Sequence, residues 1–99
     1  MKSKIVTVSR EQAQEAAIMM LGWLAGQEEL FLRFLAVSGL TVATIRSASA
    51  EPGFLTGVLD FVMAHEPTLI EFSNQSGLSA EFIAACHRSL SGGDPNPWP

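Results

Sequence analysis

The feature that most constrains the fold of this chain is an internal repeat, in which residues 38 positions apart are alike. Two pairs of segments carry the match. Met-Leu-Gly-Trp-Leu at 20–24 aligns with Val-Leu-Asp-Phe-Val at 58–62, and Ser-Gly-Leu-Thr at 38–41 aligns with Ser-Gly-Leu-Ser at 76–79. Apolar positions agree in kind, so we predict two copies of one unit, spanning about residues 16–53 and 54–91.

The spacing of apolar residues predicts three helices in each copy. In the first helix, apolar side chains recur at intervals of three and four residues, the period of one helix face: Ala13, Ala16, Ala17, Met20, Leu21 and Leu24. Ser9 and Gln12 have the spacing of a capping box, which predicts a helix start at Ser9. The shared Ser-Gly-Leu segments then predict that a glycine ends one helix, that the leucine packs back on it, and that a hydroxyl caps the next.

These patterns predict an all-α fold, a six-helix bundle made of two pseudo-repeated three-helix units. Open helical arrays need about three repeats for stability, so two copies are expected to pack face to face as a closed bundle. The helical domain would span residues 9–91 and follow an N-terminal arm at 1–8. Residues 92–99 are rich in proline and glycine, which predicts a disordered C-terminal tail.

The two copies differ in polarity at matched positions. Thr56 and Asp60 are predicted to face water, yet the residues matched to them in the first copy are Ile18 and Gly22. Three polar residues at 73–75 are likewise matched by Leu, Ala and Val at 35–37. The apolar positions must be covered by the other repeat, by the arm at 5–8, or by a partner chain. This predicts five interface candidates, of which the first three form the centre of a homodimer: Ile18, Met19, Gly22, Leu35 and Val37.

Composition and charge limit the class of partner. The net charge of −4 repels phosphates, which argues against nucleic acid as a partner. Only 16% of residues are charged, against a typical value of about 25%, so apolar groups must reach the surface, where they usually meet a protein partner or a second copy. No apolar stretch is long enough to cross a bilayer, and the lone Cys86 fits a reducing compartment, so we expect a cytoplasmic protein.

The reactive side chains form no catalytic, metal or cofactor motif. His65 lacks the second histidine that a zinc-protease helix carries four residues later, because Leu69 stands there. Cys86 and His87 are neighbours on a predicted helix, so their side chains point about 100° apart and cannot act as nucleophile and base. Cys86 is matched by Ala48, which predicts a buried, small apolar side chain. We therefore predict a non-enzymatic protein without metal or cofactor.

Three further side chains are candidates for structural or binding roles. Arg33 and Arg46 each lie in an apolar neighbourhood. Their guanidinium groups are expected to cap carbonyls or to pair with Asp60 or Glu51; binding a carboxylate or phosphate is the alternative. Trp98 in the tail is a candidate anchor for a partner, because aromatic residues dominate binding hot spots.

The segment around Gly77 also has the pattern of a helix-turn-helix, so a DNA-binding regulator is the alternative function. The second helix of such a motif presents basic and amide side chains to the major groove. The helix after Ser79 offers only His87 and Arg88, and the helix after Thr41 offers only Arg46. Together with the negative net charge, this composition favours a protein-interaction or regulatory adaptor that works through the apolar first half.

Four segments carry a family resemblance. They are Leu21-Gly22-Trp23-Leu24-Ala25, residues 30–40, Ile45-Arg46, and residues 52–61. As a set they resemble an uncharacterised bacterial family of small helical proteins, domain-of-unknown-function family 3572. The resemblance runs from the first to the sixth predicted helix and leaves out the arm and the tail. It implies a bacterial cytoplasmic protein and no particular activity.

Overall fold

Six α-helices make up the part of the chain that the computed structural model describes, residues 7–51 and 53–91. In chain order they are α1 (Arg10–Ala25), α2 (Glu28–Ser38), α3 (Val42–Ala48), α4 (Phe54–Met63), α5 (Glu66–Ser76) and α6 (Ala80–Leu90). These two ranges contain no strand, so the predicted all-α, six-helix fold class is confirmed. The predicted tail at 92–99 and residues 1–6 of the arm lie outside the described residues.

Hydroxyl side chains cap three of the helices at the predicted positions. The Ser9 hydroxyl accepts a hydrogen bond from the Gln12 N–H at 3.1 Å, and the Gln12 side chain accepts one from the Ser9 N–H at 3.0 Å. Thr41 and Thr44 make the same reciprocal pair at the start of α3. Ser79 accepts from the Phe82 N–H at 3.0 Å. These bonds satisfy backbone donors that have no partner within the helix.

Left-handed glycines end α2 and α5, as the matched Ser-Gly-Leu segments predicted. Gly39 has φ 78° and Gly77 has φ 83°, and each donates its N–H to the carbonyl four residues earlier. Beyond Gly39 the Leu40 N–H bonds back to the Leu35 carbonyl at 3.0 Å. A side chain other than glycine is strained in this backbone region, so these residues fix where the chain turns.

The core lies between α1, α4 and α6, with α2 packed beside α1 and α5 beside α4. Its most deeply buried side chains come from four helices: Met20 and Leu24 of α1, Val58, Leu59 and Val62 of α4, Phe72 of α5, and Ile83 and Cys86 of α6. Val8 of the arm is also buried in this cluster. Burial of these apolar groups is the main force that holds the helices together.

Edge-to-face aromatic contacts recur at matched positions of the two halves. Trp23 of α1 meets Phe72 of α5 with the ring centroids 5.2 Å apart. Phe61 of α4 and Phe34 of α2, which the 38-residue shift matches to them, meet at 5.4 Å. Each contact joins one predicted repeat to the other, which agrees with the predicted duplication.

The third helices of the two halves pack differently. α6 lies along α1 and α4 and buries four side chains, whereas no residue of α3 is buried. The Arg10 guanidinium in the first turn of α1 donates to the Ser89 carbonyl at 3.5 Å, so α6 reaches the start of α1. The residues matched to those first turns, 48–53, run from the last residue of α3 to the residue before α4. α3 therefore has no equivalent helix to lie on.

The helical period predicts that Val42 points inward, and this prediction is wrong. Val42 is 69% exposed because α3 lies outside the core. Thr56 and Asp60 were expected to face water. Asp60 is exposed, as expected, whereas Thr56 is only partly exposed, and both lie beside the last turns of α6. The Thr56 hydroxyl donates to the Leu90 carbonyl at 3.3 Å, and the Asp60 carboxylate contacts His87 Nε2.

Helix length bears on the membrane expectation. Among the described residues, none of the helices taken singly has both the length and the apolar character to cross a bilayer. α2 and α3 taken together have the required length and composition, but they are bent by 68° relative to each other.

The left-handed glycines lead to a stability prediction. Gly77→Ala is expected to lower the free energy of unfolding by about 1–2 kcal/mol, because a Cβ is strained at positive φ. Gly57→Ala is the matched control. Gly57 lies inside α4 with no atom within 4 Å of an added Cβ, so alanine is expected to raise stability by about 0.5–1 kcal/mol. Urea unfolding followed by circular dichroism measures both, and equal effects would contradict this account.

Candidate functional site

An apolar groove with a volume of about 580 Å³ lies between α2 and α4. The α2 wall consists of Leu30, Arg33, Phe34, Val37 and Ser38; the α4 wall consists of Gly53, Phe54, Gly57, Asp60, Phe61 and Ala64. Leu40 and the start of α5, with His65 and Thr68, complete the lining. We call this the α2–α4 groove. Its volume lies within the range of about 300–1,000 Å³ that is usual for ligand pockets.

Three phenylalanine rings form the floor of the α2–α4 groove. Phe34 meets Phe54 edge to face at 6.1 Å and meets Phe61 at 5.4 Å. Phe34 and Phe54 are buried, so packing holds their rings in place. Gly57 opens the α4 wall, since nothing lies within 4 Å of the position that a Cβ would take there. The groove therefore offers a preorganised aromatic surface to an apolar ligand.

The matched position on the other side of the molecule is closed by a hydrogen bond. There the Trp23 Nε1–H donates to Gln75 Oε1 at 2.8 Å, which joins α1 to α5. The residues matched to this pair are Phe61 and Val37, which both line the α2–α4 groove and have no polar atom with which to bond. Val37 is 72% exposed. The groove is thus open where its counterpart is bridged.

Charged groups lie on both walls of the α2–α4 groove. Arg33 on α2 makes no salt bridge within residues 7–51 and 53–91, so its expected pairing with Asp60 or Glu51 is wrong for the described chain. Asp60 on α4 contacts His87 instead. The groove therefore has an apolar floor and a carboxylate on one wall, and its other wall carries a cationic group that has no anionic partner among the described residues.

The proline at position 67 indicates a helix start there and predicts His65 as its cap. His65 does stand at the N-cap of α5, but its side chain makes no capping bond to the backbone. The His65 Nδ1 lies 2.7 Å from the Thr68 hydroxyl, and both residues line the end of the groove. This contact holds the imidazole against α5. Because the imidazole bonds to Thr68, it does not accept a hydrogen bond from the backbone N–H groups at the start of α5.

Of the large apolar side chains that the structure describes, most of the exposed ones lie in the first half of the chain. Six large apolar side chains are more than half exposed among the described residues: Ile18, Met19, Leu32, Val37, Val42 and Ile70. Only Ile70 belongs to the second half. Ile18 and Met19 lie with the exposed Gly22 on one side of α1. Leu35 is 7% exposed, so its place among the interface candidates is wrong, because the core of the same chain covers it.

A smaller cleft of about 290 Å³ separates α3 from α1 and α2, and Arg46 lies on its rim. Ile45 lines the cleft and is only partly buried, whereas its match Ile83 is 1% exposed in the core. The cleft therefore marks the place where α3 stands away from the other helices. Arg46 makes no salt bridge within the described chain; it lies in the last turn of α3, where a positive charge is favourable.

Within the described ranges, the remaining reactive residues do not converge on a site. Cys86 is fully buried, as predicted, and desolvation by that burial raises the pKa of its thiol above the ordinary value. In residues 7–51 and 53–91, no three His, Cys, Asp or Glu side chains are placed to hold a metal ion. Trp98, the predicted tail anchor, lies outside the described residues.

The α2–α4 groove was not predicted from the sequence. Phe34, Phe54 and Phe61 have the spacing of core residues, and their arrangement around an opening depends on how α2 meets α4. One signal was present in the repeat. Gly57 is matched by Met19, so α4 has lost a large side chain at the groove wall.

Comparison with known proteins identifies a family and no characterised relative. The family model described as "Protein of unknown function (DUF3572)" matches residues 10–93. No curated protein and no solved structure matches the chain.

The burial of Cys86 predicts low thiol reactivity. A thiol-specific disulfide reagent at pH 8 is expected to label the native protein several orders of magnitude more slowly than the urea-unfolded chain. The reagent cannot reach the sulfur, and the raised pKa keeps the thiolate scarce. Labelling at similar rates in both states would show that Cys86 is accessible and that α6 does not pack on the core as described.

Proposed function

We propose that this chain, which belongs to the family described as protein of unknown function DUF3572, is a non-enzymatic interaction protein of the cytoplasm. The exposed apolar side chains of its first half form the surface that binds a protein partner or a second copy. One observation carries the proposal: of the six large apolar side chains that are more than half exposed in the described part of the chain, five lie on α1, α2 and α3.

The physical argument is the cost of leaving such groups in water. Burying a large apolar side chain completely contributes about 1.5–3 kcal/mol, so covering several of them favours association. Monomeric proteins rarely expose large contiguous apolar patches. Ile18, Met19 and Gly22 lie close together on α1, and the open space at Gly22 lets another backbone approach. We propose that this patch forms a homodimer in which each copy presents the same three residues.

The chemistry of the described residues supports binding over catalysis. The α2–α4 groove contains Arg33, Asp60 and His65, but Cys86, the strongest nucleophile of the chain, is buried in the core. The groove has an apolar floor of the kind that recognises a hydrophobic segment. The negative net charge also supports a protein partner over DNA, since nucleic-acid affinity depends largely on neutralising phosphates.

The test of this proposal is Ile18→Asp. The variant is expected to keep its helicity, because Ile18 is exposed in the single chain. It should raise the dimer dissociation constant by roughly 100-fold or more, since an unpaired carboxylate in an interface costs about 3 kcal/mol. Analytical ultracentrifugation over a concentration series measures the constant.

The matched control is Ile70→Asp, which places the same charge on an exposed isoleucine of the second half. It is expected to leave association unchanged. A wild-type protein that stays monomeric at high concentration and captures no protein partner would contradict the proposal. A mobility shift with DNA at low salt would favour the alternative, a helix-turn-helix regulator.

A further inference from the structure

The chain leaves α6 beside the wall of the α2–α4 groove. The carbonyl of Leu90, the last residue of α6, accepts a hydrogen bond from Thr56 on α4 at 3.3 Å. One turn earlier, His87 contacts Asp60, and Asp60 itself lines the groove. These two contacts hold the end of α6 against α4. Whatever follows Ser91 therefore starts next to the groove.

The segment after Ser91 is long enough to enter the groove. It consists of Gly92, Gly93, Asp94, Pro95, Asn96, Pro97, Trp98 and Pro99, which lie outside the described residues. Eight extended residues span at most about 26–29 Å. Packed helices are about 8–10 Å apart, so the segment can cross α4 and reach the α2 wall. The two glycines at its start allow the chain to reverse direction.

The composition of this segment complements the groove. Three prolines around Trp98 favour an extended polyproline conformation, which loses little entropy when it docks on aromatic surfaces. The groove offers three phenylalanine rings and an opening at Gly57. Asp94 is the only charged side chain of the segment, and the α2 wall of the groove carries Arg33, which makes no salt bridge in the described chain.

We propose that residues 92–99 dock in the α2–α4 groove of the same chain. In the docked state the Trp98 ring lies on the phenylalanine floor near Gly57, and the Asp94 carboxylate pairs with the Arg33 guanidinium. Tethering keeps the segment at a high local concentration, so a partner of the groove must displace it. The inference goes beyond the proposed function, since the occupant is the chain itself and no association through α1 is required.

The test uses the full chain with Trp23→Phe, which leaves Trp98 as the only tryptophan. Phenylalanine is a suitable replacement because Phe61 makes the matched aromatic contact. Trp98 emission is expected at shorter wavelength than in the urea-unfolded chain, and acrylamide quenching is expected to be several-fold weaker. Both values should stay constant on dilution, because the docking is intramolecular.

A matched pair of variants in this background locates the binding site. Gly57→Gln puts a side chain into the groove and is expected to release Trp98, with quenching that rises several-fold toward the unfolded value. Gly22→Gln makes the same change at an equally open helical glycine on α1 and should leave Trp98 shielded. If Gly22→Gln abolishes self-association while Trp98 stays shielded, the docking of residues 92–99 is independent of the proposed homodimer through α1. Arg33→Gln is expected to weaken the shielding.

Four results would overturn the inference. If acrylamide quenches Trp98 fully in the Trp23→Phe protein, the segment does not occupy the groove, which is then free to bind a separate partner. Shielding that disappears on dilution means that the segment docks on a second copy. Shielding that persists in a folded Gly57→Gln variant places Trp98 elsewhere. If Gly57→Gln loses helicity, nuclear Overhauser contacts between the Trp98 indole and the groove phenylalanines decide: their presence supports the docking, and their absence overturns it.

Discussion

Packing of α6 along α1 buries Ile83, Cys86 and Leu90 and closes the core on one side of the molecule. This contact depends on the length of α1, which has 16 residues where α4 has 10. The extra turns at the start of α1 give α6 a surface to lie on. The residues matched to these extra turns lie mostly between α3 and α4 and do not extend α4. α3 therefore has no such surface to pack on and stays outside the core. The difference in exposed surface between the halves follows from this one constraint.

The α2–α4 groove has a second, local cause. Both halves use an edge-to-face aromatic pair to join α1 to α5 and α4 to α2. Where Trp23 and Gln75 meet, a hydrogen bond between their side chains bridges the two helices. Phe61 and Val37 at the matched positions leave the contact without a polar bridge. Where one half has the hydrogen-bonded pair Trp23 and Gln75, the other half thus has Phe61 and Val37, which leave an open apolar surface.

Local signals in the sequence predicted the helices and their ends. Ser9, Thr41 and Ser79 cap helices, and Gly39 and Gly77 end them, because each effect depends on a few neighbouring residues. The duplication also placed Phe34 and Phe72 in equivalent buried positions. These features needed no knowledge of how the helices pack.

Features that depend on packing were missed or wrongly predicted. Leu35 was taken for an interface residue because its match, Ser73, is polar; the structure buries Leu35 in the core instead. Val42 was expected inside because helical period alone does not reveal that α3 lacks a supporting helix. The groove could not be predicted for the same reason: it depends on the angle at which α2 approaches α4. Matched pairs that break the repeat, such as Gly57 with Met19, were the available signal.

The central claim is that α3 lacks the support that α6 receives, and that this leaves the first half open. Native-state hydrogen exchange of the backbone amides tests it most directly. The account predicts that α3 amides, such as that of Ile45, exchange through local opening, while core amides of α6, such as that of Ile83, exchange only through global unfolding. Their protection should therefore differ by orders of magnitude. Equal protection of α3 and α6 would contradict the claim.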